Sequence, residues 1–123
     1  MSIAHDMLTK NLIVDTVCDL LDTSATLVFK TASETIVGVI ALDVDSFAVA
    51  SNGEALANGF PKTATVTTAG HVEKFEIRDA ASVPKIYGTV SLPGNAGDIE
   101  LATLDYLVSE TITLTRLNYR VPN

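Results

Sequence analysis

The hydrophobic period of this chain changes once, at the polar stop Asp22-Thr23-Ser24. Before it, Leu8, Leu12, Ile13, Val17, Leu20 and Leu21 recur at helical spacing, with Thr9, Asp15, Thr16 and Asp19 between them. After it, apolar residues alternate with polar ones at the two-residue period of strands. A chain that switches period only once can fold as one helix and then an all-strand body. The 123 residues suit one domain, with the amphipathic helix over about 5–21 and the strands over about 25–121.

The strand region is divided by its own turn chemistry. Thr26 to Thr31 sets Leu27 and Phe29 against Thr26, Val28 and Lys30, and Thr35 to Leu42 is a β-branched run across a short loop, as in a hairpin. Phe47 to Val49 is a short strand before the Asn52-Gly53 turn, and Asn58-Gly59 with Pro61 marks another turn. Lys62 to Thr68 alternates with Ala64 and Val66 inward. Val72 to Arg78 sets Phe75 and Ile77 against an outward Lys74, Glu76 and Arg78. Ile86, Gly88, Val90 and Leu92 share a face after Pro84; Pro93 to Gly97 is a loop, and Ile99 to Leu101 is a short strand. In the last strand, Thr111 to Val121, the apolar parity shifts from Ile112 and Leu114 to Leu117, Tyr119 and Val121, which predicts a bulge or bend near Thr115 or Arg116. Seven or eight such strands make the expected fold mainly β: an antiparallel β-sandwich or jelly roll with one N-terminal amphipathic α-helix.

Charge and residue chemistry narrow the function. A formal net charge of −7 argues against direct nucleic-acid binding, which needs clustered Lys or Arg. No apolar run reaches the length of a membrane span, and Asp6 and Lys10 leave no signal-peptide pattern to read. Cys18, the only cysteine, sits among apolar neighbours in the helix and reads as core filler. His5 and His71 read as surface residues. Asp43 and Asp45, like Asp98 and Glu100, lack the further oxygen ligands of a calcium loop, and residues 94–97 lack the Lys and Ser/Thr of a phosphate loop. No nucleophile-and-base motif is present, so the expectation is a protein that is not an enzyme and that uses no metal or cofactor. Outward Thr-rich strands with few Lys at their edges point to edges covered by other subunits, hence a homo-oligomer.

The order of elements resembles a family of small bacteriophage virion structural proteins. The likeness rests on Leu27-Val28-Phe29 after the helix, Phe75-Glu76-Ile77-Arg78-Asp79, Gly88-Thr89-Val90, Asp98-Ile99-Glu100-Leu101, and the closing Thr111-Ile112-Thr113-Leu114 with Pro122 near the end. It covers most of the chain. Two features depart from that pattern: such proteins often carry a longer Gly- and Pro-containing loop after the first strand, and an Arg where this chain has Glu76. The resemblance implies a capsid decoration (cement) protein that binds the major capsid protein, is assembled in the host cytoplasm and resides in the virion. A tail or head-to-tail connector protein is the alternative. The helix, through Leu8 and Leu12, and the C-terminal Leu117, Tyr119, Arg120 and Val121 are the candidate protein-interface residues. A carbohydrate- or ligand-binding β module is a further reading; it requires a concave site joining aromatic and acidic side chains, with Asp43, Asp45 and Tyr87 as candidates.

Overall fold

The computed structural model describes residues 7–21, 24–43, 46–95 and 98–120. Its elements run α1 (Met7–Asp19), β1 (Thr26–Lys30), β2 (Ile36–Ala41), β3 (Glu54–Leu56), β4 (Lys62–Thr65), β5 (Gly70–His71), β6 (Lys74–Arg78), β7 (Pro84–Ser91), β8 (Ile99–Glu100), β9 (Asp105–Tyr106), β10 (Thr111–Leu114) and β11 (Asn118–Arg120). The fold is mainly β, a curled antiparallel sheet with one N-terminal helix. Five strands join in the order β2-β1-β6-β7-β8, and the pairs β10-β4, β11-β3 and β5-β9 form short ribbons. One pairing is parallel: Val90 and Ser91 of β7 against Ile99 and Glu100 of β8.

The central strands β1 and β6 are fixed by their partners on both sides. Leu27 pairs with Ile40 and Ile77, and Phe29 pairs with Gly38 and Phe75, so one face of the sheet is a continuous apolar surface. The β4-β10 ribbon closes over it. A Cβ on Gly38 would stand 3.0 Å from Ile112 Cδ1 and 3.8 Å from Ala64 Cβ, which places those side chains directly above β2. Ala64, Val66 and Ile112 are buried, and the threonines between them, Thr63, Thr65 and Thr67, are exposed, as their alternation predicts. The free edge of β2 is also partly covered within the chain, since the Thr67 amide donates to Val37 O at 2.9 Å.

The last strand bends where its parity shifts. Pairing runs from Thr111↔Thr65 to Leu114↔Lys62, stops, and resumes at Asn118↔Leu56 through Arg120↔Glu54. Residues 115–117 and 58–61 form the bend between the two ladders. The Asn52-Gly53 turn is the tight hairpin its dipeptide predicts: both residues are left-handed, at φ 55° and 74°, and Ser51 and Glu54 exchange backbone hydrogen bonds of 2.8 and 3.1 Å across it.

Side chains of α1 dock the helix onto this hairpin. Asp15 Oδ1 accepts from the Ala50 amide and Asn11 Oδ1 from the Gly53 amide, both at 2.8 Å, while buried Ser46 Oγ donates to Leu21 O at 2.5 Å. Only one apolar line of the helix is buried, Val14, Cys18 and Leu21; Leu8, Leu12 and Leu20 are exposed. The single stripe expected from the sequence is thus two, one holding the helix down and one facing out. Cys18 lies in the core, as its neighbours suggested. The expected helix start at residue 5 and His5 fall outside the described residues.

A side chain is excluded at Gly88, on β7, where a Cβ would lie 2.4 Å from the Phe75 ring. Gly88→Ala is expected to lower stability by about 1–3 kcal/mol, the usual range for forcing an extra methyl into a packed site. Urea unfolding checks this, as a fall in midpoint at an unchanged slope.

Candidate functional site

The strands leave an opening at the side of the sheet. β7 is paired with β6 along its length, but β8 accompanies its other edge only at Val90 and Ser91, and β11 pairs only with β3. Between the unaccompanied start of β7 and β11 lies a cleft of about 300 Å³. Its floor is apolar, made by Phe47, Phe75, Ile77, Ile86, Ile99 and Leu117, and its rim carries Tyr87, Asp98, Asn118 and Tyr119. A second opening shares Asp98, Ile99, Leu117 and Asn118 and extends toward Glu100 and Arg116.

Three of the four rim residues, Asp98, Asn118 and Tyr119, are held by local interactions. Asp98 Oδ2 accepts from the Thr89 amide at 2.9 Å and from Thr89 Oγ1 at 3.2 Å, fixing the carboxylate over Gly88. Asn118 Nδ2 donates to Glu54 Oε1 at 2.8 Å, and its Oδ1 accepts from Arg116 Nε at 3.3 Å. Tyr119 is half-buried against the core, and burial together with nearby Cys18 holds its phenol above the ordinary value of 10.0. Tyr87 projects outward, 72% exposed. The cleft therefore offers recognition chemistry: apolar surface, four aromatic residues and one carboxylate, the only charged group among its described lining residues.

The opposite face of the sheet carries a charge network that alternation alone did not predict. Glu76 was expected to face water. It is instead 4% exposed, because Lys30 on β1 and Arg78 on its own strand lie over it. Lys30 Nζ is 2.5 Å from Glu76 Oε1, and Arg78 Nε is 3.3 Å from Glu76 Oε2. Glu34, at the β1-β2 turn, joins Lys30 and Lys74. Burial pushes the Glu76 carboxyl up, but hydrogen bonds from Arg78 and Lys30 outweigh it and keep the group below the ordinary carboxylate range. Hydrogen bonds from Lys30 and then Lys74 pull Glu34 down to about 2, and the bonds to Glu34 and Glu76 hold Lys30 above 10.5.

The residues singled out from the sequence are dispersed. Leu8 and Leu12 are exposed on the helix, at 72% and 61%. Leu117 is buried in the core and lines the cleft floor, and Tyr119 packs against that core at the cleft rim. Val121 and the side chain of Arg120 lie outside the described residues, as does Asp45. Asp43 is paired with Lys62 at 2.6 Å and does not line the cleft at Tyr87. His71 Nδ1 sits 2.7 Å from Asp105 Oδ1 on the exposed β5-β9 ribbon. Among the described residues no three His, Cys, Asp or Glu side chains converge as a metal site would require. The acid that shares the cleft rim with Tyr87 is Asp98, which the sequence offers beside Glu100 as an incomplete calcium loop; its capping of Thr89 nine positions away has no local sequence signal.

No known family model matches the chain, and searches among curated proteins and among solved structures find no match to it.

The charge network predicts stability limits at both ends of pH. Glu34 has a lowered folded value, so its contribution is present above about 4.5 and is lost as pH falls toward 2. Lys30 has a raised one, so its contribution is complete below 10.5 and is lost as pH rises beyond it; the raised value of buried Tyr106 acts in the same direction above 10.0. Tm measured against pH should fall on both limbs. Glu34→Gln should flatten the acid limb, and added salt should shrink the difference because Glu34 is exposed. Glu76→Ala, which strands Arg78 over a buried surface, should cost about 3 kcal/mol by chemical denaturation, well above the effect of Glu34→Gln.

Proposed function

We propose that this chain is a structural protein of a bacteriophage virion, most specifically a decoration protein that binds the outer capsid shell and bridges major capsid subunits. The observation that carries the reading is the double role of α1. Val14, Cys18 and Leu21 anchor the helix in the core, and Asn11 and Asp15 fix it to the 50–53 segment. Leu8 and Leu12 on the helix, and Leu20 just past its end, are left bare on a segment that is otherwise tied down. Large apolar side chains exposed along a rigid element suit a protein partner. The virion-family resemblance of the strands supplies the kind of partner, and the ribbons over the β1-β2 face form the second layer of a sandwich in this reading.

In this role the protein is not an enzyme and takes no cofactor. Its work is to add contacts between shell subunits against internal pressure, with many weak copies acting through avidity. Assembly in the host cytoplasm and residence in the virion follow. Copies also contact one another at the shell, as a homo-oligomer. A tail or connector location uses the same surfaces in a closed ring. The ligand-binding reading has its own support, because the cleft joins aromatic and acidic side chains in one concavity, with Asp98 in place of Asp43 and Asp45.

Cosedimentation of the purified protein with capsids lacking it, beside isolated tails, tests the proposal. Saturable binding to capsids and regular exterior density by electron cryomicroscopy are expected. Leu8→Asp with Leu12→Asp should weaken that binding at least about tenfold while shifting stability by no more than about 1 kcal/mol, since both side chains are exposed. Binding to tails alone would move the protein to the tail or connector, and binding to neither would remove the virion reading.

A further inference from the structure

We propose that the cleft between β7 and β11 is a socket for a Lys or Arg side chain of a partner polypeptide. The inference rests on the reading of the chain as a partner-binding structural protein, and it names the chemistry of one contact. A long basic side chain is apolar along its stem and charged only at its tip. The cleft has the same division. Phe75, Ile77, Ile86 and Leu117 form a floor for methylenes, and the one charged lining group, Asp98, stands at the rim. Tyr87 is an exposed residue of the same rim, and an aromatic face beside a bound cation would add to its hold.

Charge selects among the possible occupants. A carboxylate as the one charged group among the described lining residues repels an anion and favours a cation, and the chain as a whole carries −7. A sugar would need several rim groups to serve its hydroxyls, but both ends of the Asn118 amide are engaged by Glu54 and Arg116. An added strand is disfavoured too. Val90 N–H donates to Glu73 O on the β6 side, so the Thr89 amide points to the open edge, where Asp98 already occupies it.

The test is an NMR titration of the whole chain with Nα-acetyl-lysine N-methylamide and its arginine counterpart. The norleucine amide, which keeps an alkyl stem without charge, and methyl β-glucoside are run beside them. A basic probe should cause saturable shifts at Tyr87, Gly88, Ile99 and Asn118, with a Kd on the order of 1–10 mM. Asp98→Asn keeps an oxygen for the Thr89 amide and should raise that Kd about tenfold. Tyr87→Ala, at an exposed position, should raise it by roughly two- to fivefold. No saturable shift from either basic probe, equal shifts from the norleucine amide, or saturation by the glucoside alone would each overturn the socket. Cosedimentation separates this from the larger reading: wild type and Asp98→Asn binding capsids equally well would sink the socket and leave the virion role standing. A wild-type protein that binds no virion part would sink the role, and the titration would still decide the socket.

Discussion

A carboxylate set in the middle of a sheet must be held by cations, and the central pairing of this fold is built around that requirement. Glu76 sits on β6 opposite Val28 of β1 and Tyr87 of β7, in the row that crosses the sheet at its centre. Its charge is retained because Lys30 and Arg78 lie within ion-pair distance. A slip of β6 by one residue against β1 would turn Glu76 into the apolar core and Phe75 and Ile77 out of it. The ion pair and the apolar face therefore specify the same register from opposite sides of the sheet. Lys30 also ties the sheet to the β1-β2 turn through Glu34, a non-glycine residue held in left-handed conformation at φ 74°. Such a conformation costs about 1–3 kcal/mol and persists where surrounding contacts fix it. Here Lys30 and Lys74 supply them.

The strands with strong alternation were legible in the sequence, and so was the bend in the last one, because a parity shift in a buried strand has few other solutions. Ala64, Val66, Ile112 and Leu114 point inward as read. The two-residue strands β5 and β9 were not legible. They pair only at Gly70↔Tyr106 and His71↔Asp105, too short to leave a period in the sequence. Nor was β3, since its partner β11 lies some sixty residues away. Alternation placed Glu76 and Val28 on the face away from the core, which is correct, and took that face to be solvated, which is not. The stems of Lys30 and Arg78 cover it, a consequence of neighbouring strands that a single strand's pattern does not contain.

The candidate site was legible only in its parts. Tyr87 and Asp98 each stand out in the sequence, but their sharing of one rim depends on β8 lying parallel to the far end of β7, so that Asp98 comes back alongside Thr89. Leu117 and Tyr119, which the sequence offers as interface residues, both lie at this cleft, Leu117 in its floor and Tyr119 at its rim. The parity of the last strand gave their common face correctly; which side of the bend faced the core was decided by β3 and the helix packed upon it.

The edge of β7 explains why recognition there would run through side chains. An edge strand with free amides invites any passing strand, and proteins guard such edges with proline, lysine and bulges. All three occur here: Pro84 at the start of the strand, an irregularity in register beside Arg78, and Lys85 within it. Asp98 adds a fourth guard by occupying the Thr89 amide. The same carboxylate that blocks strand addition is the only charge among the described residues lining the cleft. One residue thus makes the edge unreceptive to a generic strand and receptive to a cationic tip, the combination a surface needs if it is to bind one partner many times over without the copies aggregating through their sheets.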